Sequence, residues 1–226
     1  MRIVVVSSPG TGPEPHWSHA AAAACGGVLA AAGHDVVWFA VARAGQGLPT
    51  PPAGVELRGM PPLPRRPLTA VAADSADVPL EGALARSLRE QPPAAVVHFG
   101  AGARGTPNVA WLAERMGSRA FVVARAAEVV CHRGNRIDRD GVPCTEFLEP
   151  ARCRRCCAGA WWRTPRADDF RNRGDLLAGS LLAADAVFVL EPADVAPLVA
   201  FGVPVAGIVI APAPTDIAAR IAAAPA

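Results

Sequence analysis

The sequence lacks an excess of charge, a long hydrophobic run and tyrosine. Its 226 residues carry a formal net charge of +2, so no strong electrostatic field for nucleic acid or an anionic membrane is expected. No uninterrupted apolar run approaches the roughly 20 residues of a membrane-spanning helix. The absence of tyrosine and the predominance of arginine over lysine reflect a compositional bias that indicates a GC-rich genome and no particular chemistry.

The amino terminus also lacks the pattern of an export signal. A single arginine precedes a short apolar run, and Pro9-Gly10 follows too early for a signal peptide. We therefore predict a cytoplasmic protein, in which disulfides are not expected. Apolar residues make up 51% of the chain, and neither an internal repeat nor a linker divides it. One domain spanning residues 1–226 is predicted, long enough to bury a sizeable core.

Short buried strands alternate with helical segments along most of the chain. The β-branched run 3–6 predicts a strand, the Gly- and Pro-rich segment 7–15 a loop, and the Ala-rich segment 16–32 a helix that stops at Gly33. Further strands are predicted at 36–40, 55–57, 94–99, 120–124, 186–190 and 208–210, and further helices at 80–89, 108–116, 168–183, 192–201 and 215–223, the last capped by Thr215. The alternation predicts the α/β class, with a doubly wound, Rossmann-like parallel sheet.

The stretch 131–157 interrupts this alternation. It holds five of the six cysteines, many arginines and few apolar residues, so it is predicted to be an insertion that cannot pack as a core element. Its C-x-x-C pair is typical of half of a structural zinc site, and two more cysteines complete a set of four. The predicted zinc ligands are Cys131, Cys144, Cys153 and Cys156. Cys157 and Cys25 are predicted to lie outside this set, because two-residue spacing lets both thiolates of a pair face one ion.

Other interpretations of these cysteines stay open. The alternatives to zinc are free thiols, disulfides in a secreted protein, and an iron–sulfur cluster, which needs the same four thiolates. A redox C-x-x-C pair usually lies at a helix start after a strand, and an Arg-rich loop is expected here. Four thiolates leave no open coordination position, so a structural metal is favoured over a catalytic one. The arginines whose charge would offset the thiolates are Arg133, Arg136, Arg152, Arg154 and Arg155.

The cysteine-rich sequence also resembles that of a known family. Residues 131–144 read CHRGNRIDRDGVPC, and residues 153–156 read CRRC. This pattern resembles a loop of many GT-B-type retaining glycosyltransferases, the sucrose-synthase-like group (glycosyltransferase family 4-like). Other similar stretches are RIVVVSSPG at 2–10, AGHDV at 32–36, ADAVFVL at 184–190 and GVP at 202–204. The resemblance covers nearly the whole chain, although only the cysteine loop is specific.

The resemblance implies the N-terminal, acceptor-side half of a GT-B enzyme. The expected function is a glycosyltransferase-like domain that acts with a separate donor-binding chain, so a sugar nucleotide binds only if that partner supplies the donor domain. The alternative is a catalytically inactive, zinc-containing binding or scaffold protein. Two departures from the family pattern matter, and the first of them favours the alternative. Arg125 and Ala126 stand where the family has a His-Asp pair, and prolines interrupt the first loop, residues 10–15, where the family often has Gly-Gly.

Several residues are candidates for substrate binding, each with a plainer alternative. The candidates are Gly10, Gly12, His16, His98 and Arg125. His98 ends a predicted buried strand, where open α/β sheets place ligand groups; a satisfied strand-end histidine is the alternative. His16 begins a helix whose N-terminus can hold an anion, or it is simply solvated. Glu191 is either a base or a helix-start carboxylate, and Trp161-Trp162 either a partner surface or packing of the insertion.

Overall fold

The computed structural model describes most of the chain. The described residues are 1–8, 17–42, 47–60, 78–101, 107–146, 149–158 and 166–224. Three of the predicted substrate-binding residues, Gly10, Gly12 and His16, lie outside this part. The Trp161-Trp162 pair lies outside it as well.

Strands and helices alternate as the sequence predicts. The strands are β1 (Arg2–Ser7), β2 (Asp35–Val41), β3 (Val55–Met60), β4 (Ala95–Phe99), β5 (Arg119–Val123), β6 (Ala186–Val189) and β7 (Ile208–Ile210). The α-helices are α1 (Trp17–Ala31), α2 (Val78–Glu90), α3 (Val109–Arg115), α4 (Ala126–Val130), α5 (Pro150–Cys157), α6 (Ala167–Leu182), α7 (Val195–Phe201) and α8 (Pro214–Ala222). Short 3-10 turns cover Pro192–Asp194 and Val205–Gly207.

All seven described strands form one parallel sheet. Their order is β3-β2-β1-β4-β5-β6-β7, and every adjacent pair is parallel. This confirms the predicted α/β, Rossmann-like class. The order reverses between β1 and β4, where Val6 is in register with His98. In open α/β sheets this switch point opens a crevice at the carboxyl ends of the strands.

The sheet separates two hydrophobic cores. Alternate β1 residues face opposite ways: Val4 and Val6 belong to the core beneath α2, α3 and α7, whereas Ile3 and Val5 belong to the core beneath α1 and α8. All four side chains are fully buried. A strand that is buried on both faces needs a continuous apolar run. This explains why the strands can be predicted from the sequence.

The structure differs from the sequence predictions in the connections. α4 was not predicted, and α5 places Cys153 and Cys156 on a helix where an Arg-rich loop was expected. Glu149 caps α5 by accepting the N–H of Ala151 over 3.0 Å, and Pro150 suits its first turn. The predicted cap Thr215 is wrong as well: α8 begins at Pro214, and its N-cap is Ala213. In the described part of the chain, no helix is both long and apolar enough to cross a bilayer.

Candidate functional site

Polar residues converge at the carboxyl edge of the sheet beside the switch point. Ser8, His98 and Arg125 lie at or just beyond the carboxyl ends of β1, β4 and β5, which are neighbours in the sheet. Trp17 at the start of α1 and Glu128 on α4 contribute from the adjoining helices. These five residues are called the sheet-edge site below. Their convergence follows from parallel topology, because all strand ends of one polarity share one edge.

His98 is one of the buried residues of the sheet-edge site. Its side chain is 1% exposed, and its Nε2 lies 3.4 Å from Ser8 Oγ. Within the described residues, its buried Nδ1 has no hydrogen-bond partner. Burial lowers the pKa of His98 to about 3, because removing water penalises the charged imidazolium. At neutral pH the ring is therefore uncharged and offers one donor and one acceptor.

Trp17, Glu128 and Arg125 form the second half of the sheet-edge site. The Trp17 indole donates its N–H to Glu128 Oε1 over 2.6 Å. The Arg125 guanidinium lies 4.9 Å from the centre of the Trp17 ring, in cation–π geometry. Glu128 is 8% exposed. A carboxylate, a guanidinium and a neutral imidazole thus share one edge, a combination that can hydrogen-bond hydroxyls and pair with an anionic group.

A second hydrogen-bonded group supports the site from the α1 face of the sheet. Ser7 Oγ lies 2.7 Å from His19 Nδ1 and accepts the indole N–H of Trp38 over 2.9 Å. Ser18 of α1 donates its hydroxyl to the backbone oxygen of Ser8 over 2.6 Å. These contacts fix the first turn of α1, which carries Trp17, against the end of β1.

The structure brings two of the predicted substrate-binding residues, His98 and Arg125, to the same edge. Sequence reasoning missed Ser8 and Glu128. Ser8 was assigned to a loop with no further role, although it follows a buried strand. Glu128 belongs to the helix that was not predicted, and its meeting with Trp17 joins residues 111 positions apart. Glu191 precedes the 3-10 turn at the end of β6 as its N-cap, with no side-chain capping bond.

The insertion brings the four predicted cysteine ligands to one place. Together with a fifth cysteine they line a single small cavity of ≈ 20 Å³, called the cysteine cavity below. Its cysteines are Cys131, Cys144, Cys153, Cys156 and Cys157. Nowhere in the described ranges are three or more histidine, cysteine, aspartate or glutamate side chains already arranged as a metal-ligating group. The thiols therefore share a cavity, although their side chains are not arranged as a ligand set.

Cys144 reaches the cavity from a tight hairpin. Ile137 and Pro143 form an antiparallel bridge, and the Cys144 N–H donates to the oxygen of Arg136 over 2.7 Å. Asp138 holds the turn, because its Oδ1 accepts the N–H groups of residues 140 and 142, each over 2.9 Å. These bonds, above all that from Val142, lower the pKa of the Asp138 carboxyl. Gly141 completes the turn at φ +83°, where other residues are strained.

Cys153 and Cys156 reach the cavity from α5. Their i, i+3 spacing places both thiols on one helix face. They occupy the fourth and seventh of its eight positions, away from the helix start where dipoles activate a redox thiol. Burial raises the pKa of Cys153 to about 11, and negative charge on its cavity neighbours Cys131, Cys144 and Cys156 adds to the rise. A pKa this high corresponds to a protonated thiol at neutral pH.

The remaining cysteines differ in their surroundings. Cys157 is 2% exposed and packs against Phe170 of α6; burial, followed by the charge of neighbouring thiolates, raises its pKa to about 12. Cys25 is fully buried in the α1 core, and burial raises its pKa to about 12 as well. Cys25 therefore lies in a different core from the cavity, whereas Cys157 lies on the cavity's wall.

Two of the five predicted arginines, Arg133 and Arg152, line the cysteine cavity. Arg133 donates to Cys156 Sγ over 3.9 Å. Arg152 instead pairs with Glu146 over 2.8 Å and with Asp138 over 3.8 Å. Arg154 and Arg155 are exposed. Sequence reasoning missed Arg173 of α6, which is 9% exposed. Burial lowers its pKa to about 10, against the opposing effect of thiolate charge, first from Cys131.

Comparisons with known proteins give remote likenesses only. No protein-family model matches the chain, and no curated protein matches it. Among solved structures, it is similar to UDP-N-acetylglucosamine 2-epimerase from Rickettsia bellii (14% identity, TM-score 0.47) over 98% of this chain and 47% of that one. It is also similar to Phytolacca americana UGT2 complexed with UDP-2fluoro-glucose and pterostilbene (15% identity, TM-score 0.47), over 87% of this chain and 49% of that one.

A third similar structure is the lipopolysaccharide outer core galactosyltransferase WaaB in its apo form. The identity is 9% and the TM-score 0.42, over 92% of this chain and 44% of that one. The chain thus spans slightly under half the length of each of these three structures. Likenesses at this identity and TM-score carry no argument about family or activity.

Proposed function

We propose that the chain is the acceptor-side domain of a glycosyltransferase-like enzyme that acts with a separate donor-binding chain in the cytoplasm. The observation that carries the proposal is the convergence of His98, Arg125 and Glu128 at the switch point of the sheet. The resemblance of the cysteine segment to GT-B sequences supports it. Sugar transfer requires hydroxyl recognition and compensation of phosphate charge, and these side chains supply both kinds of group.

The proposed roles follow from the geometry. Arg125, held against the Trp17 ring, pairs with phosphate charge of the donor supplied by the partner. The neutral His98 and its neighbour Ser8 hydrogen-bond the acceptor. Glu128 is placed to accept a proton from an acceptor hydroxyl. Gly10, Gly12 and His16 complete the substrate-binding set in this proposal.

We also propose that the cysteine cavity holds one structural zinc ion. The donor set fits, because four thiols at C-x12-C-x8-C-x2-C spacing line one cavity and leave no position for water or substrate. Cys131, Cys144, Cys153 and Cys156 are the proposed ligands. A bound ion would supply cross-linking of the insertion, and not chemistry on a substrate.

Elemental analysis of the purified protein tests the metal. We expect about one zinc per chain, which is the stoichiometry of a closed four-ligand site. It should be lost in Cys153→Ser and kept in Cys157→Ser, because Cys157 is the matched neighbour outside the proposed set. Zinc-free protein with an intact, protease-resistant insertion would overturn the proposal. A brown, iron-containing protein would replace it with an iron–sulfur cluster.

Calorimetry with UDP- and GDP-sugars, followed by purification of bound partners, tests the enzymatic role. The isolated chain should bind no sugar nucleotide more tightly than roughly millimolar. A complex with a donor-binding chain should bind micromolar sugar nucleotide and transfer sugar, and Arg125→Gln should impair transfer while leaving the complex intact. Micromolar binding of a sugar nucleotide by the isolated chain would contradict the proposal that a separate chain binds the donor. Full activity of Arg125→Gln complexes would contradict the assigned site.

A second candidate is a catalytically inactive binding or scaffold protein. Arg125 and Ala126 favour it, since they stand where the resembled family has a His-Asp pair. Moreover, the Ala126 N–H is engaged by the Asp194 carboxylate over 3.0 Å, so this segment serves the packing of α4. A stable partner complex that transfers no sugar from any tested donor would favour this second function.

A further inference from the structure

One short helix connects the cysteine cavity with the sheet-edge site. α4 has five residues; Arg125 is its N-cap, and Cys131 is its C-cap. Glu128 lies between them and accepts the Trp17 hydrogen bond. At about 1.5 Å of rise per residue, the two capping residues are separated by roughly 9 Å along the helix axis. α4 therefore links the two sites: Arg125 and Glu128 belong to the sheet-edge site, and Cys131 lines the cysteine cavity.

α4 is too short to be stable without tertiary contacts. Isolated helices below about 12 residues are marginal in water, and the last carbonyls of any helix lack intrahelical partners. Arg173 of α6 supplies partners here. Its two terminal nitrogens donate to the backbone oxygens of Glu128 over 2.8 Å and of Val129 over 3.0 Å. A cation at a helix C-terminus also interacts favourably with the helix dipole.

Arg173 lies beside the cysteine cavity without lining it, and it shares a neighbouring cavity with Cys153 and His132. It is buried, and the thiols that act on its charge belong to Cys131, Cys153 and Cys157, in decreasing order. A zinc ion held by four thiolates leaves net negative charge in the cavity. Since Arg173 is a buried cation beside that charge, filling the cavity strengthens the attraction that keeps its guanidinium in place on α4.

We propose that Arg173 is a positioning residue through which zinc in the cysteine cavity orders α4, and with it Arg125 and Glu128 of the sheet-edge site. The coupling rests on the proposed zinc site, but it does not depend on any sugar-transfer activity. Zinc would bind Cys131, which is the C-cap of α4. The negative charge of the filled site would attract Arg173, which binds the last carbonyls of α4. The Trp17–Glu128 hydrogen bond then extends the ordering to the start of α1.

Hydrogen exchange of the full chain, measured with and without zinc, tests this coupling. In the natural sequence, zinc should slow exchange in residues 126–131 and 17–21 by about 5- to 150-fold, the usual range of coupling between two sites. In Arg173→Met, zinc should still protect the hairpin and α5, whereas the slowing in 126–131 and 17–21 should disappear. Arg173→Lys keeps the charge without the two-pronged donor, so it should retain the slowing only in part.

Arg171→Met is the matched control. Arg171 lies two positions away on α6, is exposed, and pairs with Asp168 over 2.9 Å, so its loss should leave the zinc effect unchanged. If Arg173 had only a structural role, Arg173→Met would speed exchange in 126–131 equally with and without zinc. That result overturns the coupling. Natural protein whose α4 exchange is indifferent to added zinc overturns it too, even where elemental analysis finds the metal. The result of the sugar-nucleotide titration does not depend on either outcome, so failure of the coupling and failure of the proposed enzymatic role can be told apart.

Discussion

The indole of Trp17, at the start of α1, donates a 2.6 Å hydrogen bond to Glu128 on α4, and Arg125 covers the same ring at 4.9 Å. This contact joins the helix after β1 to the helix after β5. It also brings a buried carboxylate to the start of the helix that follows β1, the strand at which the order of the sheet reverses.

Replacing Trp17 with phenylalanine should destabilise the protein by about 1–3 kcal/mol. Phenylalanine keeps most of the apolar contact but removes a donor from a carboxylate that is 8% exposed, and lost hydrogen bonds to charged groups fall in this range. Urea denaturation gives the change in the free energy of unfolding. Trp111→Phe is the control, because Trp111 is 45% exposed. Equal losses in the two variants would show that the Trp17–Glu128 bond adds nothing.

Alanine at Gly100 should destabilise the fold more than alanine at Gly117. Both glycines have positive φ, +81° and +73°, so both substitutions carry a backbone cost of about 1–2 kcal/mol. Only at Gly100 would the new Cβ lie close to other atoms, 3.2 Å from Ser18 Cβ and 3.3 Å from the Ser8 oxygen. Thermal unfolding of the two variants isolates this second cost. A larger loss at Gly117 would contradict the close approach of these segments.

His98 should make the protein sensitive to acid. Burial lowers its pKa from 6.5 to about 3 in the folded state, so the unfolded chain binds the proton first as pH falls. Its stabilising contribution is therefore present above pH 6.5 and is lost progressively between about pH 6.5 and 3. His98→Gln should flatten the fall in the free energy of unfolding over this range. His132 has a pKa similarly lowered to about 3, and it is present in both the natural protein and the variant. An unchanged slope in His98→Gln would mean that the ring is accessible to protons in the folded state.

Removing the proposed metal should loosen the insertion before it unfolds the sheet. The two cores on either face of the sheet contain their own apolar residues, whereas the insertion holds few. Metal-chelated protein should therefore be cleaved by trypsin first within 131–157, at its many arginines, while the circular dichroism of the sheet persists. Restoring zinc should restore resistance. Loss of sheet signal at the same chelator concentration as the first cleavage would show that the core needs the metal.

The sequence by itself determined the architecture of the sheet and the grouping of the cysteines along the chain. Strands such as 3–6 and 120–124 are continuous apolar runs because they are buried on both faces, and the intervening helices follow from composition and spacing. The carboxyl-edge position of His98 follows from the same topology. The five cysteines within 131–157 are visible without any structure. The helical state of α5 was missed because three of its eight residues are arginine and three are cysteine, with little apolar periodicity to indicate a helix.

Only the tertiary structure decided which side chains meet. Ser8 and His98 are 90 positions apart, and Trp17 and Glu128 are 111 apart. Arg173 reaches α4 across more than 40 residues. Local propensities set the period of an element and where it ends, but they carry no information about which distant element packs against it. α4 illustrates the limit most clearly, since five residues are too few to specify a helix, and its ends are held by Asp194 and Arg173, which arrive from other parts of the fold.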